Sequence, residues 1–259
     1  MVLFLTIFLT ERLAFFLAPK SFTMPIMNSI ILDTIRKSLL FRQVSDAGIF
    51  RAAQMGVLRH AESGTFYFHQ DDPAEHAFVL VQGLVRMAQV TADGHQITLR
   101  MMTPGQTFGG IAMLRPSAGY PASAQAVEDS IAITWATSDL RQLATTEPAL
   151  PLNTMELMHG YITELQERQK SLVADRVEKR IARILLKLAT ETGRQVEEGI
   201  LIDMHLSRQD VAEMSGTTLY TVSRTLSEWE REGMLKIGRE RVIICEPHSL
   251  VRITDDLGK

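Results

Sequence analysis

The sequence predicts an α+β chain: a β-sandwich or barrel, then one long helix that seeks a partner, then a small helical domain closed by a two-stranded wing. Three observations carry this. Short β-rich runs cut by turn residues extend from about Phe66 to Thr137. A narrow apolar stripe with helical period follows, from Glu147 to Leu172. Finally, "SRQDVAEMSGTTLYTVSRTLSEWEREGML", Ser207 to Leu235, splits into two short amphipathic blocks around Ser215-Gly216-Thr217.

The chain has 259 residues, 46% hydrophobic and 22% charged, an ordinary globular composition. Its net charge of −3 gives no global attraction for nucleic acid, so any such binding must come from a local patch. One cysteine, Cys245, excludes an internal disulfide framework and a cluster held by four thiolates. A reducing, cytoplasmic setting fits. Residues 1–27 stand apart as an N-terminal extension. Their apolar run, "MVLFLTIFLTERLAFFLAPK", is broken by Glu11, Arg12 and Pro19. A spanning helix needs about 20 nearly uninterrupted apolar residues, and a signal peptide carries its positive charge ahead of the run. The stretch reads as a segment ahead of a true start at Met24 or Met27, or as a small added helix, and no membrane association is expected.

The first domain is expected over residues 28–146. Ile30 to Leu40 have the pattern of a short amphipathic helix. "TFYFHQ", "HAFVLVQG", "LVRMAQVTADG", "ITLRMMTPG" and "SIAITWAT" then read as strands, with Gly83, Gly94 and Gly105 evenly spaced among them. "TADGHQ" is a hairpin signal, because Asp-Gly supplies the positive φ that tight turns need. Strands this short and regular form a sandwich or barrel.

Residues 147–174 are expected to form the partner-seeking helix. Met155, Met158, Ile162, Leu165 and Leu172 are spaced 3, 4, 3 and 7 apart, an a/d heptad seam. The other faces carry Glu164, Glu167, Arg168 and Lys170. A stripe this narrow suits a two-helix seam better than a broad core face, so a parallel homodimer is expected.

Residues 175–259 form the last domain. "DRVEKRIARILLKLATETG" starts a helix with Asp175 placed to cap it, Glu178 three residues on, and Gly193 placed to end it. In the quoted stretch Ser207 caps a first helix with Asp210 three residues on, Val211, Ala212 and Met214 face inward, and Gly216 makes the turn. Thr217 or Thr218 caps a second helix that buries Val222, Leu226 and Trp229. Two helices joined by such a turn are a helix-turn-helix, whose second helix fits the major groove of double-stranded DNA. Its exposed side carries Leu219, Tyr220, Ser223 and Arg224. Arg224 is the best base reader, since its fork can grip guanine O6 and N7 together. Ser207, Arg208 and Gln209 are placed for phosphate. "LKIGRERVIIC" makes the wing, with Arg239 and Arg241 available to the DNA backbone.

This arrangement resembles the cyclic-AMP receptor protein / fumarate-nitrate regulator superfamily of bacterial transcription factors from about Ile30 to Ile253. The resemblance rests on the spaced glycines, "PGQTFGGIAML", the seam helix, "RIARILLKLA" and the helix-turn-helix. It implies a cyclic-nucleotide-binding-like β-roll, a dimerisation helix, a C-terminal winged helix-turn-helix, a palindromic operator and, for an activator, contact with RNA polymerase.

The departures bear on the effector. Members that bind cyclic AMP hold the ribose with a Gly-Glu pair and the phosphate with an Arg-Ser pair. Here these stand as Gly109-Gly110 and Tyr120-Pro121, and the adenine-contacting pair falls on Leu165-Gln166. Without a cation, the cyclic phosphate loses its strongest bonds, so cyclic AMP is not the expected effector. The cysteines of the iron–sulfur sensors are absent, as is the cysteine ligand of the carbon-monoxide-sensing haem members. "YPASAQA" is similar to the nitric-oxide- and denitrification-linked branch, which leaves haem open, with His60, His69, His76, His95 and His159 as ligand candidates. "YTVSR" keeps the Ser-Arg half of the family's "ExxSR" and lacks the glutamate, which puts one base of a TTGAT-like half-site in doubt. The alternative reading is a cyclic-nucleotide-binding regulatory module without DNA binding; the intact helix-turn-helix speaks against it. No P-loop, nucleophile elbow or metal-binding His/Glu motif is present, so no catalysis is expected.

Overall fold

The computed structural model describes residues 24–90, 96–115, 118–238 and 241–255. Helix α1 (Met24–Lys37), a 3₁₀ turn (Leu39–Phe41) and α2 (Asp46–Met55) lead into the β-roll. Its strands are β1 (Val57–Ala61), β2 (Phe66–Phe68), β3 (His76–Gln82), β4 (Val85–Val90), β5 (Gln96–Met102), β6 (Thr107–Phe108), β7 (Ser123–Ala126) and β8 (Ser130–Ala136). Helix α3 (Ile111–Leu114) sits between β6 and β7, and α4 (Thr137–Ala144) follows β8. The strands form two antiparallel sheets, ordered β1-β8-β3-β6 and β2-β7-β4-β5.

The two-residue period of a strand explains the layering. On β3, Phe78 and Leu80 enter the core between the sheets, while Ala77 and Val79 enter the core beneath the helices. On β8, Ala132 joins the first core, and Ile133 and Trp135 join the second. Both faces of these strands are covered, so their sequences read as continuous apolar runs. Trp135 Nε1 donates to the carbonyl of Ala52 at 2.7 Å, which satisfies the one polar atom of a buried indole. Gly83 has a φ of +89°, and a Cβ there would meet the backbone of Asp129 and Ser130; only glycine fits. The strands flanking "TADGHQ" pair as a hairpin, Val90 opposite Gln96; the turn itself, with Gly94, lies outside the described residues.

Helix α5 (Ala149–Ala174) is 26 residues long, about 39 Å. Its inward face carries Leu150, Asn153, Thr154, Leu157 and Tyr161. Asn153 fastens it by donating to the carbonyls of Leu40 and Arg42 at 2.9 and 2.6 Å. Its outward face carries Leu152, Met155, Ile162 and Val173, which are 65, 59, 51 and 87% exposed. These apolar positions fall into a continuous 3,4 repeat with exposed His159, Gln166 and Gln169. The expected seam therefore needs correction at Met158, which turns towards the β-roll and lines a cavity. Leu172 adjoins the turn at Gly216 in the last domain and remains 44% exposed. A strict heptad read from sequence assigned Met158 to the seam because it is apolar; contact with the β-roll claims it instead. Met155 and Ile162 stay on the outward face, and Leu165 stands at its margin.

The last domain contains α6 (Val177–Thr192), β9 (Gly193–Val196), β10 (Gly199–Ile202), α7 (Arg208–Ser215), α8 (Leu219–Arg231), β11 (Leu235–Gly238), β12 (Arg241–Ile244) and α9 (Pro247–Thr254). Its sheet is four-stranded, β11-β12-β10-β9, rather than an isolated two-stranded wing. Ile181, Leu185, Leu188, Val211, Val222, Leu226, Trp229 and Leu250 close its core.

Asp175 does not cap α6 as expected; Arg176 occupies the N-cap position. The Asp175 carboxylate instead accepts from Ser171 Oγ at 2.6 Å and Arg183 Nη1 at 2.7 Å, with Lys179 Nζ at 3.4 Å. These partners, the Ser171 bond foremost, lower its pKa to about 2. A carboxyl group held below its unfolded value stabilises the fold fully above that value and loses the contribution as pH falls. Asp175→Asn is therefore expected to destabilise the protein at neutral pH and to flatten the acid limb of its stability curve between about pH 4 and 2. Urea melts of both proteins across that range measure it; parallel acid limbs would show that this cluster does not govern the junction.

Candidate nucleic-acid interface and effector cavity

Helix α7 begins with a capping box. Ser207 Oγ accepts from the Asp210 amide at 3.1 Å, and Asp210 Oδ2 accepts from the Ser207 amide at 3.0 Å. The helix ends at Gly216, with φ +61° and ψ +45°, a left-handed conformation that costs other residues roughly 1–2 kcal/mol. Thr218 caps α8 by accepting from the Thr221 amide at 3.2 Å, so the cap is Thr218 and not Thr217.

Helix α8 has two distinct faces. Val222, Thr225, Leu226 and Trp229 are buried. Leu219, Tyr220 and Arg224 are exposed, Tyr220 by 76%, and Ser223 is half-buried between them. Among the described residues Arg224 has neither an ion pair nor a hydrogen bond, so its fork is not engaged by Glu228. Arg208 and Gln209 are exposed on the first turn of α7, where Gln209 Nε2 donates to Glu213 Oε1 at 3.0 Å. Thr217 is half-buried in the turn. Arg241 is exposed on β12; Arg239 lies outside the described residues.

Sequence reasoning missed how this domain is docked. The second oxygen of Asp210 lies 2.7 Å from Arg86 on β4 of the β-roll. Both side chains are largely buried, and Arg86 Nε and Asp210 Oδ1 lack aligned hydrogen bonds, so charge alone holds the pair. Arg168 on α5 donates to the carbonyls of Thr98 on β5 and Glu213 on α7, at 3.1 and 2.8 Å. Burial pushes the Arg168 pKa down, yet three carbonyls satisfy its fork. Arg180 on α6 holds the turn through the carbonyls of Ser215 and Gly216. The first helix of the pair is thus clamped between the β-roll and the long helix. No local motif encodes contacts between residues that stand 35 to 124 positions apart.

The second feature is a cavity of about 150 Å³ between the β-roll and α5. Gly109, Gly110, Tyr120 and Pro121 line it, together with Phe68, Met87, Leu99, Met102, Phe108, Leu157, Met158 and Tyr161. Leu165 and Gln166 do not reach it: they lie further along α5 and face outward. Tyr120 is not aimed into the space as a ligand handle. Its ring stacks on Phe68 with centroids 3.7 Å apart, and its hydroxyl donates to the His76 carbonyl at 2.8 Å. Burial raises the Tyr120 pKa, so the ring remains a neutral wall. Arg100 is the one charged residue of the lining among the described residues. Its Nε is buried without a hydrogen-bond partner and lies 3.7 Å from Glu164 on α5.

These residues do not fit a haem. Among the described residues no histidine or cysteine lines the cavity. His60, His69, His76 and His159 are exposed and lie elsewhere; His95 lies outside the described residues. Among the described residues no helix is long and apolar enough to cross a membrane.

Comparison with known proteins agrees with this geometry. Residues 58–147 match the family model for the cyclic nucleotide-binding domain, and residues 179–253 match that for the Crp-like helix-turn-helix domain. Together they cover more than half of the chain. The nitrogen fixation regulation protein FixK of Azorhizobium caulinodans is 29% identical over 189 residues, 73% of this chain and 75% of that protein. The anaerobic regulatory protein of Bacillus subtilis is 24% identical over 194 residues, 75% of this chain and 82% of that protein. FixK2 from Bradyrhizobium japonicum shares the fold with a TM-score of 0.68 at 23% identity, covering 76% of this chain and 96% of that one.

Proposed function

The chain belongs to the cyclic-AMP receptor protein / fumarate-nitrate regulator superfamily of transcription regulators, and from that premise we propose that it acts as a homodimer on palindromic operators under the control of an effector other than cyclic AMP. The observation that carries this reading is the two-faced recognition helix, with its buried stripe locked in the core and Tyr220, Ser223 and Arg224 presented around an unengaged guanidinium. Two such helices, related by pairing of the outward faces of α5, would enter successive major grooves.

The effector half of the proposal rests on the cavity. Among the described residues its lining carries no carboxylate for a ribose, and Tyr120 and Pro121 stand where the resemblance places the phosphate. Neither Tyr120 nor Pro121 offers a cyclic phosphate a cation at that wall; among the described residues Arg100 is the one cation of the lining.

The test is operator affinity measured against salt. A regulator of this kind is expected to show a steep negative slope of log affinity on log salt concentration, since each neutralised phosphate releases counterion. Arg208→Ala is expected to weaken binding to all sequences alike and to reduce that slope by about one. Affinity that ignores salt, or fails to distinguish a palindrome from random duplex, would remove DNA regulation from the account.

A further inference from the structure

We propose that the cavity binds a small apolar monoanion, one ring in size, whose acidic group is held by Arg100 and whose arrival is passed to the DNA-binding domain through Glu164. This rests on the regulator reading above and names the chemical class of its effector. Three observations carry it.

Size comes first. About 150 Å³ of space, open on one side, is lined chiefly by Phe68, Met87, Met102, Phe108 and Leu157. An apolar cavity of about this volume stays dry and takes a benzene-sized guest. The dispersion contacts of such walls reward a flat or compact apolar body and give nothing to a sugar.

Charge comes second. The hydroxyl of Tyr120 is committed to the His76 backbone, and Thr154 donates to the Leu150 carbonyl. Arg100 is different. Its Nε is buried and unsatisfied, and its contact with Glu164 at 3.7 Å is long for a hydrogen bond. A carboxylate or phenolate entering from the cavity would complete that donor set with charge-assisted bonds. An uncharged ring would leave it unfilled.

The route outward is third. Glu164 contacts Arg100 on β5 and is also hydrogen-bonded to Lys187 on α6 of the last domain. It stands between the cavity and the DNA-binding unit as a shared counter-ion. An anion that engages Arg100 competes for the positive charge that faces Glu164. The balance between Arg100 and Lys187 then shifts, and with it the seating of α6. Glu191, its pKa raised chiefly by burial, lies in the same field of Lys187, Arg100 and Glu164. A change of net charge in this cluster is therefore felt on the last domain directly.

The experiment is calorimetric titration of the full chain with benzoate, with benzyl alcohol and cyclic AMP as comparison arms, followed by operator binding with and without benzoate. Benzoate is expected to bind saturably, and benzyl alcohol about tenfold to a hundredfold more weakly, the loss of one charge-assisted bond. Cyclic AMP is expected not to bind. Arg100→Gln is expected to bring benzoate down to the level of benzyl alcohol. Leu157→Trp, which fills the cavity, is expected to abolish both, with folding checked by circular dichroism and unliganded operator affinity. Glu164→Gln is expected to keep benzoate binding and lose its effect on the operator. No saturable benzoate binding, equal binding of the alcohol, or benzoate binding indifferent to Arg100→Gln would each overturn the assignment. Because operator affinity is also read without ligand, a chain that binds DNA but no benzoate defeats this inference alone, and one that binds no DNA defeats the regulator reading.

Discussion

Replacing Ile162 with aspartate is expected to separate the dimer into monomers at micromolar concentration and to abolish high-affinity operator binding with it. Ile162 lies mid-way along the outward face of α5, between Met155 and the paired glutamines Gln166 and Gln169. Fully burying an apolar side chain of this size is worth roughly 1.5–3 kcal/mol as an upper bound. The two-fold axis doubles the substitution and brings two carboxylates close to one another. Taking a charge out of water without a partner costs on the order of several kcal/mol for each ion, and every 1.4 kcal/mol is about tenfold in the association constant. Dimer dissociation should therefore strengthen by at least about a thousandfold. Sedimentation velocity of the variant beside Ile162→Leu measures this, since the leucine keeps the seam apolar. A variant that still sediments as the wild-type species would place the pairing surface somewhere other than this helix face.

The second large effect is expected at Arg224. Arg224→Ala should cost about 1–3 kcal/mol at a single base pair of each half-site and relax the preference for guanine there. The residue stands exposed on α8, without ion pair or hydrogen bond among the described residues. Its fork is free for a bidentate grip that lysine could not reproduce. Affinity for a set of operators differing at one position each, measured at fixed salt, separates base reading from phosphate contact. A uniform loss across the set would assign Arg224 to the backbone, the behaviour expected of Arg208.

Capping and turn chemistry were legible because they are local. Ser207 and Asp210 form their box within one turn, and Gly216 adopts the left-handed conformation that its position demands. The buried stripe of α8 was equally legible: Val222, Leu226 and Trp229 follow the helical period, and the core takes that period as it stands. Where sequence reasoning failed, an element had more than one neighbour. Asp175 fits the spacing of a cap, yet two cations and a hydroxyl from the adjoining helices draw it away. Met158 fits a heptad, but the β-roll lies on that side of α5. Met155 and Ile162 could be placed because the outward face has no competitor among the described residues.

The sequence by itself determined the strand-rich first domain, the long helix and the place of the recognition helix, and it sets Gly109-Gly110 and Tyr120-Pro121 side by side in the chain. Those are properties of neighbouring residues, governed by dihedral preference, periodicity and side-chain charge. The tertiary structure alone decided that Arg100 faces an apolar void, that Glu164 stands between it and Lys187, and that Arg86 grips Asp210. Each of those depends on how separately folded layers meet. Coulomb attraction and packing act through space, and a one-dimensional pattern carries no record of which surfaces come within a few ångströms of each other.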